Sequence, residues 1–318
     1  MRDSKTGKLL CSLGFLTLLY LTLFILGRIF DPVRLGMGEY VAERYSYYAG
    51  LMEEPKDTVD VVVMGDSLSY GMINPIDFWQ QEGITSYIAG EEGQVTPGTY
   101  LELKSIFKNQ SPKLVIIETG IMGHNFGTEV YSTLYQSVYN AFPVMKYHEL
   151  WKVMLGKKDN RVPEHFKGFN KRDIIAGYTG GEYMIPTDEI HHVRGISKWY
   201  INRIKKLCDD NGATLILVSM PSPMNYSYEK HNGLVELSNE LEVPYIDFNL
   251  MTDELGFDWS YDMLDDNDHV NIYGTEKTGN YLMQYIKDNY DLVNHSDDAR
   301  YKYWNEEAES FKEKYNIP

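Results

Sequence analysis

Residues Leu9 to Gly27 carry no charged side chain over 19 consecutive positions, and this run constrains the chain more than any other feature. At 1.5 Å rise per residue a helix of that length spans roughly 28 Å, close to the hydrocarbon thickness of a bilayer. Arg2, Lys5 and Lys8 precede it against the single acid Asp3. That bias predicts a cytoplasmic N-terminus and a body on the outer side of the cell membrane. No small-x-small cleavage site precedes Arg28, so the run reads as an uncleaved anchor rather than a signal peptide. The expected organisation is a cytoplasmic tail over 1–8, a single-pass anchor over 9–29 and a juxtamembrane segment over 30–56, helical up to Pro55. A globular domain over 57–290 and a helical tail over 291–318 follow.

The 318-residue chain has a formal net charge of -16. Nucleic acid is thereby excluded as a partner, because phosphate binding needs clustered Lys and Arg. Anionic lipid and wall polymers are repelled too, unless a local basic patch offsets the field. Cys11 and Cys208 are the only cysteines, so neither a disulfide framework nor a cysteine metal site can be built.

Within the body, VDVVVMG (59–65), residues 85–89, KLVIIET (113–119), ATLILVSM (213–220) and residues 244–248 read as short buried strands. Helices are expected at about 97–108, 195–210, 229–241 and 273–290, with a charged surface helix after Ser296. Strands alternating with helices predict a mostly parallel sheet covered on both faces. Residues 122–193 break the rhythm and read as an irregular, partly helical insertion. Tyr131, Tyr135 and Tyr139 recur there at four-residue spacing, the mark of a packed helix face; aromatics in this insertion are also able to stack on sugar rings.

Gly65-Asp66-Ser67-Leu68 falls where the first strand ends, the edge at which open parallel sheets bind ligands. A serine in such a turn has an exposed hydroxyl beside free backbone N–H groups, although Ser67 could equally cap the next helix. Near the far end the chain reads DDNDHVNIYG, with Asp266 three residues before His269. A nucleophilic serine needs a base, and the base needs a carboxylate to fix its tautomer. Asp262, Asp265 and Asp268 share the window, so Asp265 or Asp268 could replace Asp266 as the orienting acid. His191 and His192 with Asp188 and Glu189 do not converge like metal ligands, and a solvated loop is expected there. No metal or cofactor is implied. Asn225-Tyr226-Ser227 fits a glycosylation acceptor if the host modifies such sites.

VVVMGDSLSYGMINP, YIAGEEGQVTPGTYLELK, PKLVIIETG and the closing DxxHxNxxG resemble, in order and spacing, the blocks of the SGNH/GDSL hydrolase superfamily. The resemblance runs from about Val59 to Tyr285 and leaves the insertion 122–193 unmatched. It implies a flavodoxin-like three-layer α/β/α sandwich and acyl-serine chemistry. In that scheme Ser67 is the nucleophile, His269 the general base and Asp266 its orienter, with an oxyanion hole from the backbone N–H groups of Ser67 and Gly93. The superfamily's Gly-x-Asn-Asp block is replaced by Glu118-Thr119-Gly120, so Gln94 or Asn125 is the expected substitute donor. Glu118 itself is expected to make a structural hydrogen bond at a strand end. More loosely, the anchor, the S-Y-x-x-x-N-P after Leu68 and the Gly93-Gln94 pair resemble a membrane-anchored branch from Gram-positive bacteria. That branch implies an O-acyl esterase or O-acyltransferase acting on cell-envelope or exported glycans, beside a membrane-bound O-acyltransferase. The alternative is a degenerate scaffold or glycan-binding partner of such an enzyme. In either case the insertion is the natural lid.

Overall fold

The computed structural model describes residues 5–38, 41, 47–123, 126–148, 150–155, 165–169 and 171–316. Five parallel strands, β1 (Val61–Met64), β2 (Ser86–Ile88), β3 (Leu114–Glu118), β4 (Thr214–Ser219) and β5 (Tyr245–Asp247), form one sheet in the order β2-β1-β3-β4-β5. This is the flavodoxin-like doubly wound order, whose switch point lies between β1 and β3. Val61 pairs with Ser86 on one side and with Leu114 on the other, and Leu114 continues the register to Thr214. Every residue of β1 and β3 is buried. Such uninterrupted Val/Ile/Leu runs are what a sheet covered on both faces requires, each fully buried side chain contributing about 1.5–3 kcal/mol. The expected strands are all present, shortened by a residue or two where the chain turns away.

Among the described residues eight longer helices accompany the sheet: α1 (Lys5–Ile29), α2 (Pro75–Glu82), α3 (Thr96–Asn109), α4 (Phe126–Ala141), α5 (Gly195–Asp210), α6 (Tyr228–Leu241), α7 (Ile272–Asn289) and α8 (Lys302–Tyr315). α3 packs on α5, and α8 packs on α2. The C-terminal helix is therefore more than a solvated surface element. Trp304, Ala308 and Phe311 are buried, and Trp304 lies 5.7 Å from Trp79, ring centre to ring centre. The α2 helix was not expected from hydropathy, but its start is written in the sequence. The Asn74 side chain accepts from the Ile76 N–H and Pro75 occupies the first turn, a cap and a preset φ together.

α1 has a mean hydropathy of 2.4 and its apolar window is wholly unburied. Among the described residues it is the one helix long and apolar enough to cross a membrane. Its C-terminal half touches the body: a Cβ at Gly27 would lie 3.1 Å from Pro143, and Tyr20 meets Phe142 edge-on at 5.8 Å. In the juxtamembrane segment residues 32–36 are turns rather than helix, and the short helix Tyr48–Leu51 ends before Pro55.

The insertion holds α4, two short helices (Pro143–Lys146, Leu150–Met154) and a long strap of irregular chain from 171 to 194. Tyr131, Tyr135 and Tyr139 do share a helix face: Tyr131 stacks on Tyr135 at 6.2 Å, and Tyr135 meets Tyr139 at a 43° tilt, 4.1 Å between ring centres. The face is not packed, however: Tyr131 is 70% exposed and Tyr135 45%. The buried side of α4 carries Glu129 and Gln136 instead, and Glu129 accepts from Ser197 Oγ on α5.

Candidate active site

The nucleophile turn is built by Asp66. Its backbone is extended at φ -83° and ψ -157°, and its carboxylate accepts from the Leu68 N–H at 3.0 Å, capping a 3-10 turn over Ser67–Gly71. That cap holds Ser67 at the carboxyl end of β1, half-buried, with its Oγ 2.8 Å from His269 Nε2. Gly65 keeps the turn close to β3, since a Cβ there would meet the Glu118 Cβ at 2.5 Å. Among the described residues the Ser67 N–H has no intramolecular acceptor.

His269 comes from the far end of the chain, on a loop pinched shut by an antiparallel bridge between Met263 and Val270. The Leu264 N–H donates to the His269 carbonyl at 2.8 Å. Within this loop the acid that meets the imidazole is Asp265, not Asp266. Asp265 Oδ1 accepts from the N–H groups of Asp268 and His269 at 2.7 and 2.9 Å, which aims Oδ2 at His269 Nδ1, 2.7 Å away. Asp266 stands at the loop tip, exposed and without a hydrogen bond among the described residues. Closing the loop puts 265 opposite 269 and turns 266 outward. Asp268 is a second neighbour, its Oδ2 3.4 Å from the same nitrogen. Its Oδ1 accepts from Asn225 Nδ2 at 2.5 Å and Ser222 Oγ at 3.2 Å.

Asp265 and Glu118 carry opposite electrostatics. Partial burial pushes the Asp265 carboxyl up, but the His269 N–H, the imidazole and the Asp268 N–H outweigh it and hold the pKa below the usual range. Glu118, at the end of β3, has no exposed surface. Burial first, then the nearby Asp66, raises its pKa well above the ordinary carboxylate value, which favours the protonated acid. It receives the Gly120 N–H at 2.8 Å and the Tyr226 hydroxyl. The network continues across the strand ends: Thr119 Oγ1 lies 2.8 Å from the Tyr226 hydroxyl and 2.6 Å from Ser219 Oγ, which reaches the Tyr245 hydroxyl at 2.9 Å. The expected structural role of Glu118 is thus what its contacts describe.

The oxyanion candidates fare unequally. Gly93 has φ +63° and open space where a Cβ would stand, and its N–H has no intramolecular acceptor among the described residues. Gln94 donates one amide hydrogen to Glu102 at 2.8 Å, and with 1% of its surface exposed the side chain is closed off from a ligand in this structure. Asn125 lies outside the described residues. Asn225 cannot be an open glycosylation acceptor either, because its amide holds Asp268 and the next residue, Tyr226, is buried. His192 pairs with Glu236, while His191 lies exposed beside it.

One residue of the insertion reaches the site without any sequence signal. The strap returns over the His269 loop, where the Ile272 N–H donates to the Arg172 carbonyl at 2.8 Å and Asn271 Nδ2 to the Ile174 carbonyl at 3.2 Å. Arg172 thereby lines the same crevice as Ser67 and His269. Only contact geometry reveals it, since 172 and 269 lie far apart in a segment without periodicity.

No family model matches this chain, and no curated protein matches it. Solved structures similar to it include an esterase, EstA, from a Pseudoalteromonas species, at 16% identity over 73% of this chain and 98% of that one, with a TM-score of 0.39. Another is a GDSL-like lipase from Bacteroides thetaiotaomicron, at 15% identity over 76% and 96%, TM-score 0.39. A third is Axe2, an acetyl-xylooligosaccharide esterase from a Geobacillus, at 10% identity over 75% and 97%, TM-score 0.40. Likeness at this level says nothing of activity, which the residues of the site have to carry.

Proposed function

We propose that this chain is a serine-dependent O-acyl esterase or O-acyltransferase of the SGNH/GDSL type. The observation that carries the reading is the relay from Ser67 Oγ through His269, 2.8 Å on one ring nitrogen and 2.7 Å to Asp265 on the other. His269 takes the Ser67 proton as Oγ attacks the acyl carbonyl, and Asp265 stabilises the imidazolium. The imidazolium returns that proton to the departing alkoxide, leaving an O-acyl-serine. Water or a sugar hydroxyl then attacks the acyl carbon and gives its proton to His269; the bond from Ser67 Oγ to the acyl group breaks, the imidazolium returns the proton to Oγ, and the acid or acylated sugar leaves. The oxyanion formed in each half is received by the N–H groups of Ser67 and Gly93. The missing asparagine donor predicts slow turnover, since one such donor is worth about 10²–10³ in rate.

The finer parts of the proposal rest on the apolar helix and on the sequence blocks. α1 anchors the chain with its N-terminus inside and the sheet domain outside. The substrates are acylated envelope or exported glycans, and a membrane-bound O-acyltransferase is the partner. Labelling of the full chain in detergent by a fluorophosphonate probe tests the core claim. Labelling lost in both Ser67→Ala and His269→Ala supports it. A well-folded chain that never labels favours a degenerate scaffold instead.

A further inference from the structure

The body is strongly acidic, with a chain net charge of -16, yet two half-buried cations that form no ion pair among the described residues flank the nucleophile turn; the charge of the neighbouring Glu229 reaches Lys230 without a salt bridge. Arg172 shares a crevice of about 10 Å³ with Ser67, Tyr70, His269, Asn271 and Thr275. Its guanidinium lies over the Tyr70 ring, 5.4 Å from the centroid. Among the described residues it forms no ion pair and donates no side-chain hydrogen bond. The acids whose charge reaches Tyr70 alongside it are Glu91 and Glu92. Glu91 is taken by Lys146 at 2.5 Å, and Glu92 is exposed to solvent. Asp265 and Asp268 are turned toward His269.

On the other side of the turn, Lys230 lines a cavity of about 60 Å³ with Thr119, Gly120, Met122, Asn225 and Leu234. Its ammonium donates to the Asn225 carbonyl at 2.6 Å and makes no ion pair among the described residues. The wall of this cavity belongs to the site. A Cβ at Gly120 would lie 2.9 Å from Asp66 Oδ2, and Asn225 holds Asp268.

Holding a cation half out of water with no ion pair is costly. A guanidinium placed on an aromatic face keeps its planar fork of donors free, the geometry that suits carboxylate and phosphate oxygens. The backbone bond to Ile272, at the first turn of α7, fixes the strap where Arg172 emerges. A ligand lying in the crevice would therefore meet Arg172 and Ser67 together.

We infer that the substrate bears an anionic oxygen group, carboxylate or phosphate, near the ester, and that Arg172 is the specificity residue that receives it. This deepens the acyl-serine reading and rests on it for the identity of the neighbouring reaction. The two chemistries share the same recognition, and the probes separate them. Lys230 lies on the far side of the turn and supplies a longer-range field.

The test is calorimetric binding to the full chain in detergent, carrying Ser67→Ala so that nothing turns over. The probes are glycerol 3-phosphate, methyl glucuronide and the neutral control methyl glucoside. One or both anions should bind better than the glucoside, weaken about tenfold or more in Arg172→Gln, and recover only a minor part of that in Arg172→Lys, which restores the charge but not the planar fork. The anion that binds names the source. Lys230→Gln should cost about threefold or less. Equal binding of anions and glucoside, no anion binding, or anion binding indifferent to Arg172→Gln overturns the inference. So does a larger loss in Lys230→Gln than in Arg172→Gln. Fluorophosphonate labelling of the native chain is read separately. Labelling without Arg172-dependent anion binding sinks this inference alone, and anion binding without labelling sinks the acyl-serine reading alone.

Discussion

Two carboxyl groups stand on either side of Ser67 and are governed by opposite conditions. Asp265 lies on the closed loop that carries His269, with its side chain 42% exposed. Glu118 lies at the end of β3 with none of its surface exposed. Both accept hydrogen bonds from backbone N–H groups, so donors alone do not distinguish them. Solvent does. With water on one side, three donors suffice to keep Asp265 ionised, and an ionised acid is what an imidazolium needs beside it. With no water, similar donors do not offset burial on Glu118, whose pKa is raised and which serves as a hydrogen-bonding strut between strand ends. The loop that does the proposed chemistry is the wetter one, and the dry acid supports it from behind.

The largest effect expected from this contrast is on the loop. Asp265→Asn should lower ester turnover by about 10²–10⁴, because it removes the acceptor that fixes the His269 tautomer. Asp266→Asn should stay within about twofold. The measurement is kcat on a 4-nitrophenyl ester for both variants, together with fluorophosphonate labelling rate. Equal losses would return the orienting role to the pair or to Asp266. Asp268→Asn separates a direct second acceptor from a brace that holds Asn225 and Ser222.

The buried acid should act on stability first. Glu118→Ala leaves the Gly120 N–H without its acceptor, about 1–3 kcal/mol for a buried group, and leaves the Tyr226 hydroxyl only Thr119 Oγ1 to bond. Glu118→Gln keeps an acceptor and should cost less. The pH dependence has a fixed sign. The folded pKa is raised, so below the unfolded value of about 4.3 the carboxyl is neutral in both states. As pH rises above that value the unfolded chain ionises while the native chain holds its proton, and stability falls. Glu118→Gln should remove that slope, read as a denaturation midpoint that gains on the native chain as pH rises above about 4.3. A constant difference across pH would mean the native carboxyl is ionised after all.

Much of this arrangement was legible in the residues. The strand runs of Val, Ile and Leu fixed an α/β sheet because only a doubly covered sheet tolerates such strands. Gly65-Asp66-Ser67 and His269 could be joined because their chemistry is complementary, whatever the distance between them in sequence. The identity of the orienting acid was not legible. Four aspartates crowd positions 262–268, and only the Met263–Val270 bridge decides which faces inward. The tyrosine spacing of α4 marked a helix face but not its direction, because the inward face is held by the polar Glu129 and Gln136, against the usual pattern. Arg172 left no trace at all. Its position depends on a strap whose placement comes from backbone hydrogen bonds, and these are independent of side-chain type.

A third carboxyl separates solvent access from donor count, with the smallest expected effect. Asp77 sits in the first turn of α2, where the helix dipole ordinarily favours an ionised acid. Burial nonetheless raises its pKa to about 6, opposed by one hydrogen bond to Asn74 and assisted by Glu276. It is drier than Asp265 and has fewer donors, so it follows Glu118 in direction. Its folded pKa exceeds the unfolded value of about 3.9. Stability should therefore decline as pH climbs from about 4 to 6, and the loss should then stay level above pH 7. Asp77→Asn should erase that decline, leaving the variant about 2–4 °C ahead of the native chain at pH 7 if the change amounts to about 1 kcal/mol. Parallel melting curves for the two proteins from pH 4 to 7 would mean the dipole and Asn74 hold the charge in place. Partial burial would then be insufficient, and only complete exclusion of water, as at Glu118, would neutralise an acid in this fold.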